Sequence, residues 1–424
     1  MTGRPSLALL SVLLFLSWGA LVPLQAQVKQ EEEYDDPDPW TGFTDTGKGP
    51  DSATVGRFLA ALAASDEAVC QLAVRSVGNN WNWEGAGDEM LETGAAELGL
   101  HEALSHRVTD ARALALLSES LGDQKPCVRR AAARLLGNSE QAEAVSLLRA
   151  ALRSPDPRTR EAGALGLAEA QDPAALHDLT RALEDSEPAV ARMAAHALGE
   201  LEDARAVKPL GQLLRAKDAK TRVTAARALG DLEDIRAVEA LTPLVRDPDP
   251  LVRVATIEAL GDIEDYRAGR ALTEALSDKD LTVRRAAAKA LGDVEYRDAA
   301  SALAQAIDDR DPVVRRLAAE ALGEQDGVKH APPRLVAALK DSDPILATIA
   351  AKALGEIGDT TTVPALAAAY VSLDPHLRFA VIKALADMDD RRVSVTLALA
   401  KKDRDHIVRH TASEALKDRE DDDD

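Results

Sequence analysis

From Pro126 onward, apolar side chains recur with helical spacing and polar residues break the pattern at regular intervals. In the segment Asp249 to Gly261, the positions Val252, Ala255, Thr256, Ala259 and Leu260 follow i, i+3, i+4, i+7, i+8, which makes one buried stripe on a helix. Asp249 suits the cap, Pro250 suits the first helical position, and Gly261 is expected to take the left-handed ending conformation. The preceding segment, Asp234 to Val245, repeats the design with Ala237, Val238, Leu241, Leu244 and Val245. Two short amphipathic helices joined by a Pro/Asp turn form a unit that cannot cover its apolar stripes alone, so it must stack on its neighbours.

The landmarks Leu136-Gly137, Leu167-Ala168, Leu198-Gly199, Leu229-Gly230, Leu260-Gly261, Leu291-Gly292, Leu322-Gly323, Leu354-Gly355, Leu385-Ala386 and Leu416-Lys417 are 31 residues apart, with one step of 32. A fixed period of this size predicts an all-α fold, an α-solenoid or superhelix of about ten to eleven two-helix repeats. The extra residue falls between Gly323 and Asp343, near Gly327, Pro332 and Pro333, and predicts a bent or loosened repeat. Gly78 and Gly137 are 59 residues apart, close to two periods, which predicts a distorted repeat between them.

The pattern Asp-Pro-x-Val-Arg-x-x-Ala-Ala-x-Ala-Leu-Gly, clearest from Asp311 to Gly323, resembles HEAT repeats of the short kind first noted in phycobilisome lyases. The resemblance is close from Pro126 to the C-terminus and fainter from Thr54 to Gly78. It implies an armadillo-like helical fold and says little about activity, because the motif consists of capping and packing residues.

Composition sharpens this picture. The chain of 424 residues is 46% hydrophobic but only 3% aromatic, so its apolar content is mostly the Ala and Leu that favour helix. A formal net charge of −21 opposes nucleic acid as a partner. Residues 1–26 read as a signal peptide: Arg4 starts it, Leu7 to Trp18 is apolar apart from serines, and Ala26 precedes the expected cleavage. The apolar run is too short to span a membrane. An exported product is expected, periplasmic or extracellular, with no membrane insertion after cleavage. Residues 27–51 form an acidic linker with Glu31, Glu32, Glu33, Asp35, Asp36 and Asp38, too polar to fold. Residues 52–125 are irregular N-terminal repeats with a Trp-containing loop, residues 126–417 are the regular repeats, and 418–424 is an acidic tail expected to be frayed.

Eight units carry an arginine eight positions before the landmark glycine or its equivalent: Arg129, Arg160, Arg222, Arg253, Arg284, Arg315, Arg378 and Arg409. Aspartates four residues earlier suggest a structural ladder, written best as Asp249 with Arg253, Asp280 with Arg284, and Asp311 with Arg315, each arginine meeting its own or a neighbouring turn aspartate. Arg130, Arg192, Arg285 and Arg316 lie one position on, off the buried stripe. Arg285 and Arg316 are therefore candidates for a free binding surface. Trp81 and Trp83, in a Gly/Asn-rich loop, are the other candidates, because interface energy concentrates in Trp, Tyr and Arg.

Catalytic chemistry finds little support. His101 and His106 are five apart, whereas a zinc-binding pair on one helix face needs four. Deoxyhypusine hydroxylase, also built of similar repeats, holds iron on four His-Glu pairs; the corresponding positions here hold Arg130, Glu161, Arg192, Val223 and others, with His410 followed by Thr411. Neither that activity nor bilin ligation carries over. No catalytic residue, metal or cofactor is expected. Cys70 and Cys127 lie about two units apart, farther than a disulfide spans, and are read as small core residues. The expected role is a monomeric scaffold that binds another protein or peptide. A second reading is an accessory or regulatory subunit of a cell-envelope hydrolase or signalling enzyme, and a third is an intrinsic enzyme of the lyase or hydroxylase type.

Overall fold

The computed structural model describes residues 49–75 and 107–423, apart from 295 and 326, all within one compact unit, Asp45–Asp424. The described residues form helices in pairs. The first pairs are α1 (Ser52–Ala64) with α2 (Glu67–Arg75), and α3 (Ala111–Ser120) with α4 (Pro126–Gly137). Next come α5 (Ala142–Ala151) with α6 (Pro157–Ala170), α7 (Leu176–Ala182) with α8 (Pro188–Glu200), and α9 (Val207–Leu213) with α10 (Ala219–Asp231). The series continues with α11 (Val238–Leu241) and α12 (Pro250–Asp262), α13 (Gly269–Ala275) and α14 (Leu281–Asp293), α15 (Ala300–Ala306) and α16 (Pro312–Glu324). It ends with α17 (Pro333–Ala338) and α18 (Pro344–Ile357), α19 (Val363–Ala369) and α20 (Pro375–Ala386), α21 (Val393–Ala400) and α22 (His406–Asp423). Each second helix packs along the second helix of the next pair, so the even-numbered helices make a continuous layer and the first helices cover one side of it. The fold is the expected all-α solenoid, with eleven pairs among the described residues.

The local signals act largely as read. Asp249 accepts from the Leu251 N–H at 2.8 Å and Asp311 from Val313 and Val314 at 3.1 and 3.0 Å, with proline opening both helices. The core consists of small and branched aliphatics; Val252, Leu260 and Leu291 are fully buried.

Gly261 does not end its helix. It lies inside α12, and the left-handed position falls three residues after the landmark: Glu202, Glu233 and Glu264 at φ 50°, 47° and 53°, with Gln171 and Gly358 at the same place in their own units. The glycines serve close approach instead. A Cβ on Gly230 would stand 2.9 Å from both Cα and Cβ of Ala259 in the next helix. Contact between layers therefore governs this position, and the left-handed turn falls to residues that face solvent.

The N-terminal end also differs from the expectation. Helix α1 packs on α3 and α2 on α4, with no described helix between them. Residues 76–106, where the distorted repeat is expected, lie outside the described residues, and the described helices on either side of them stack as neighbouring units. Cys70 and Cys127 come within a Cα separation of 6.0 Å and form a disulfide. They are buried as read, but they are one unit apart, which brings them within reach.

The 32-residue step is tied down more than loosened. Gln325, 4% exposed, donates through Nε2 to Leu291 O at 2.5 Å and Val294 O at 3.1 Å and accepts from the Tyr296 N–H at 3.1 Å. At the C-terminus, α22 continues through the acidic stretch to Asp423, and Arg419 donates to Ala386 O at 3.3 Å and to Met388 O at the end of α20. The helix therefore does not fray at 417.

Candidate interaction surface

The arginine ladder is present, in a register different from the one read. Arg253 donates to Asp278 at 2.9 Å and Arg284 to Asp309 at 2.8 and 3.2 Å; neither pairs with Asp249 or Asp280. Arg160 with Asp185, Arg222 with Asp247, and Arg378 with Asp403 repeat the relation, always 25 residues on, from one unit to the next. The capping aspartates are occupied by their own helix N–H groups, and the rung falls to the aspartate two residues before the cap in the next turn. Each arginine also stitches its own turn: Arg253 Nη1 donates to Asp247 O and Arg284 Nη1 to Asp278 O, at 2.9 and 3.0 Å. Hydrogen bonds from Arg160 hold the Asp185 carboxyl below its usual range, and Arg378 does the same for Asp403.

Arg315 makes no rung and does not pair with Asp311. It donates only to Asp309 O, at 3.2 Å, because the extra residue of the 32-residue step puts Lys340 at the position 25 residues on. Sequence reasoning missed Asp185, Asp247, Asp278, Asp309 and Asp403. The doublets Asp247-Pro-Asp249, Asp278-Lys-Asp280, Asp309-Arg-Asp311 and Asp403-Arg-Asp405 carry the signal, since capping needs one carboxylate per turn.

The arginines selected for a free surface are engaged. Arg285 forms two bonds to Asp311, of 3.0 and 2.8 Å, and Arg316 two to Asp343, of 2.8 and 2.9 Å, each bridging to the cap of the next unit. Arg285 pushes the Asp311 carboxyl down to about 2. Arg192 reaches Asp218 at 3.2 Å and Arg130 reaches Gln71 at 3.1 Å. A further ladder, unread in sequence, binds the starts of the first helices: Arg236 pairs with Asp234 and reaches back to Ala204 O at 3.2 Å, and Arg267 pairs with Asp265 and reaches Ile235 O at 2.9 Å. Trp81 and Trp83 lie outside the described residues, as do His101 and His106.

A different set of charges is left over. The residue after the landmark glycine is acidic in consecutive units: Glu200, Asp231, Asp262, Asp293, Glu324 and Glu356. From Asp231 onward each carboxylate lies over the glycine of the preceding second helix; a Cβ on Gly199 would stand 2.9 Å from Asp231 Oδ2, and one on Gly230 3.3 Å from Asp262 Oδ2. Glycine thus makes room for both the neighbouring backbone and a carboxylate. Glu200 meets His196 at 3.9 Å and Glu356 meets Lys352 at 3.4 Å, whereas Asp231, Asp262, Asp293 and Glu324 have no ion pair among the described residues. Loss of water where helix ends crowd together, followed by the charge of Glu200, raises the Asp231 carboxyl above its ordinary value. The same loss of water raises Asp262 and Glu324, with added repulsion from Asp293 on both and from Glu320 on Glu324. Carboxylates at helix C-termini also oppose the helix dipole.

Part of this row borders a cleft of about 530 Å³ across α6, α8, α10 and α12. Ala189, Met193, Ala228 and Ala259 supply its apolar lining, with Glu161, Glu200, Asp231, Glu258 and Asp262 around it. Arg192, Arg227 and His196 also reach it. Among the described residues no group of His, Cys, Asp or Glu is arranged to hold a metal ion, and no helix is long and apolar enough to cross a membrane.

No curated protein matches the chain. Among solved structures, an engineered protein is 21% identical over 86% of this chain and 98% of its own, with a TM-score of 0.40. The complex of CpcE and CpcF of phycocyanin lyase from Nostoc sp. PCC7120 is 25% identical over 58% of this chain and 93% of its own, with a TM-score of 0.35. Human deoxyhypusine hydroxylase in complex with glycerol is also 25% identical, over 58% and 96%, with a TM-score of 0.28. These similarities are too distant to bear on activity. The family model of HEAT repeats matches residues 113–194, 179–248, 238–323 and 332–417, and on that coverage, with its paired helices and stacked second-helix layer, the chain belongs to the HEAT-repeat family.

Proposed function

We propose that this chain is an exported, non-catalytic scaffold that binds a basic segment of a partner protein along the open face of its second-helix layer. The observation that carries the reading is the row of carboxylates at the ends of α8, α10, α12, α14 and α16, four of them without an ion pair among the described residues. Arg160, Arg222, Arg253, Arg284 and Arg378 and their aspartates are used up between units, so they hold the stack. Asp231, Asp262, Asp293 and Glu324 hold no such partner among the described residues. The row costs stability through repulsion, and a lysine- or arginine-rich strand laid across successive units would relieve that repulsion while its apolar side chains entered the cleft beside Met193.

A fluorescently labelled Lys/Arg-rich peptide tests the reading by titration into the chain from Gln27 onward. Replacing Glu200, Asp231, Asp262 and Glu324 with their amides is expected to weaken binding at least tenfold, whereas R285Q/R316Q, on the same layer but paired, leaves it within about twofold. Equal binding by the amide variant and the parent would overturn the proposal. Export is tested separately by sequencing the N-terminus of the secreted product, expected at Gln27.

A further inference from the structure

The disulfide sits where the arginine ladder would have its first rung. Eight positions before Gly78, the count that locates every ladder arginine, stands Cys70. The aspartate such an arginine would meet is Asp123, two residues before Lys125 at the start of α4, just as Asp247 stands two before Asp249. A ladder arginine does two things: it binds carbonyls of its own turn, and it reaches into the next unit. At the first junction these tasks are divided. Lys125 Nζ donates to Leu62 O at 2.8 Å, Ala63 O at 3.2 Å and Ser65 O, which serves the turn. The link between the units is the covalent bond from Cys70 to Cys127, with both residues fully buried.

We infer that the Cys70–Cys127 disulfide is a redox-controlled latch that keeps the N-terminal unit docked, so that α1 and α2 pack on α3 and α4 when it is closed and release when it is open. In a stack each unit is held by its neighbours, and among the described residues the α1–α2 unit has a neighbour on one side only. Two thiols at this junction would supply neither the charge nor the directed hydrogen bonds of a guanidinium rung. Among the described residues, the remaining polar ties from α4 to α2 are Arg130 to Gln71 Oε1 and Arg134 to Val74 O, both 3.1 Å. Opening takes two electrons and two protons from a dithiol: the sulfur–sulfur bond breaks, two cysteine thiols form, and the dithiol is left as a disulfide. Closing runs the other way, with an external disulfide as the acceptor. Because both sulfurs are buried, exchange proceeds through fraying of the end unit, and reduction then makes the frayed state persist.

Hydrogen exchange on the full chain tests this, with the oxidised protein compared with protein reduced by dithiothreitol to two titratable thiols. A C70A/C127A chain gives the open state without reductant. In both open forms, protection of the amides of residues 52–75 is expected to fall at least tenfold, while residues 126–417 keep theirs. A C70R/C127A chain places a guanidinium opposite Asp123 and should recover the protection in reducing buffer. Unchanged protection of residues 52–75 in C70A/C127A would overturn the latch, as would loss spread evenly over the chain. A C70R/C127A chain no better protected than C70A/C127A would overturn the equivalence with the ladder.

Discussion

Arg378 and Asp403, in consecutive units, share two hydrogen bonds of 2.9 Å while their side chains are only 5% and 4% exposed. Tyr370 adds a third bond, its hydroxyl donating to Asp403 Oδ2 at 2.6 Å. Truncating the arginine leaves a buried carboxylate with its counter-charge gone. Arg378→Ala is therefore expected to destabilise the chain by about 3 kcal/mol in urea unfolding, more than any exposed pair. The carboxyl of Asp403 is depressed, so its contribution is present above the ordinary aspartate range and is lost only as pH falls through its lower folded value. Tyr370 has the opposite sign. Burial, then the bond to Asp403, pushes its phenol up to about 12, so ultraviolet titration should show a tyrosine that ionises only near pH 12 and loses that behaviour in Tyr370→Phe.

Gly230 and Glu233 are three residues apart and carry opposite constraints. Gly230→Ala drives a methyl into Ala259 and should cost about 1–3 kcal/mol. Glu233→Gly removes a side chain from a residue at φ 47° and should gain about 0.5–1 kcal/mol. Thermal melting of the two variants checks the signs. A stabilised Gly230→Ala would mean that the layers are looser than described.

Neutralising the carboxylate row should stabilise the chain at neutral pH. The folded values of Asp231, Asp262 and Glu324 are raised, so their favourable contribution is full below the ordinary carboxylate range and is lost as pH rises through the raised values. At pH 7 the ionised row is a net cost. D231N/D262N/E324Q should raise the melting temperature by about 1–3 °C at pH 7 and change it little near pH 3. The same substitutions weaken the proposed binding, so stability and capture should move in opposite directions.

Gln325 replaces part of the ladder where the 32-residue step interrupts it. Removing its amide leaves Leu291 O, Val294 O and the Tyr296 N–H without this partner. Gln325→Ala should cost about 2 kcal/mol or more, and hydrogen exchange should rise first at residues 291–299.

Several features are legible in the amino-acid order alone. The repeat, the amphipathic pairs, the capping role of Asp249 and Asp311, and the structural use of the arginines follow from spacing and side-chain chemistry within one unit. Other positions mislead for identifiable reasons. Glycine's commonest use in a helix is at its end, whereas the next helix requires Gly261 for contact. Arg285 and Arg316 lie off the apolar stripe and so resemble free charge, yet the caps of the following units lie within their reach. The carboxylates after each glycine are visible as letters; their significance emerges only once the pairing of every other charge is known.

The helical period, the pairing of helices and the need to stack belong to the chain's local order, because caps, turns and apolar stripes act over fewer than a dozen neighbouring residues. Which aspartate meets which arginine, and whether Cys70 can touch Cys127, depend on the distance and rotation from one helix pair to the next. Packed side chains between layers determine that step, and the linear count of residues does not contain it. A count of 59 residues suggests two units between Gly78 and Gly137, yet the described helices on either side pack directly on each other, and that brings two cysteines from apparent isolation to a Cα separation of 6.0 Å.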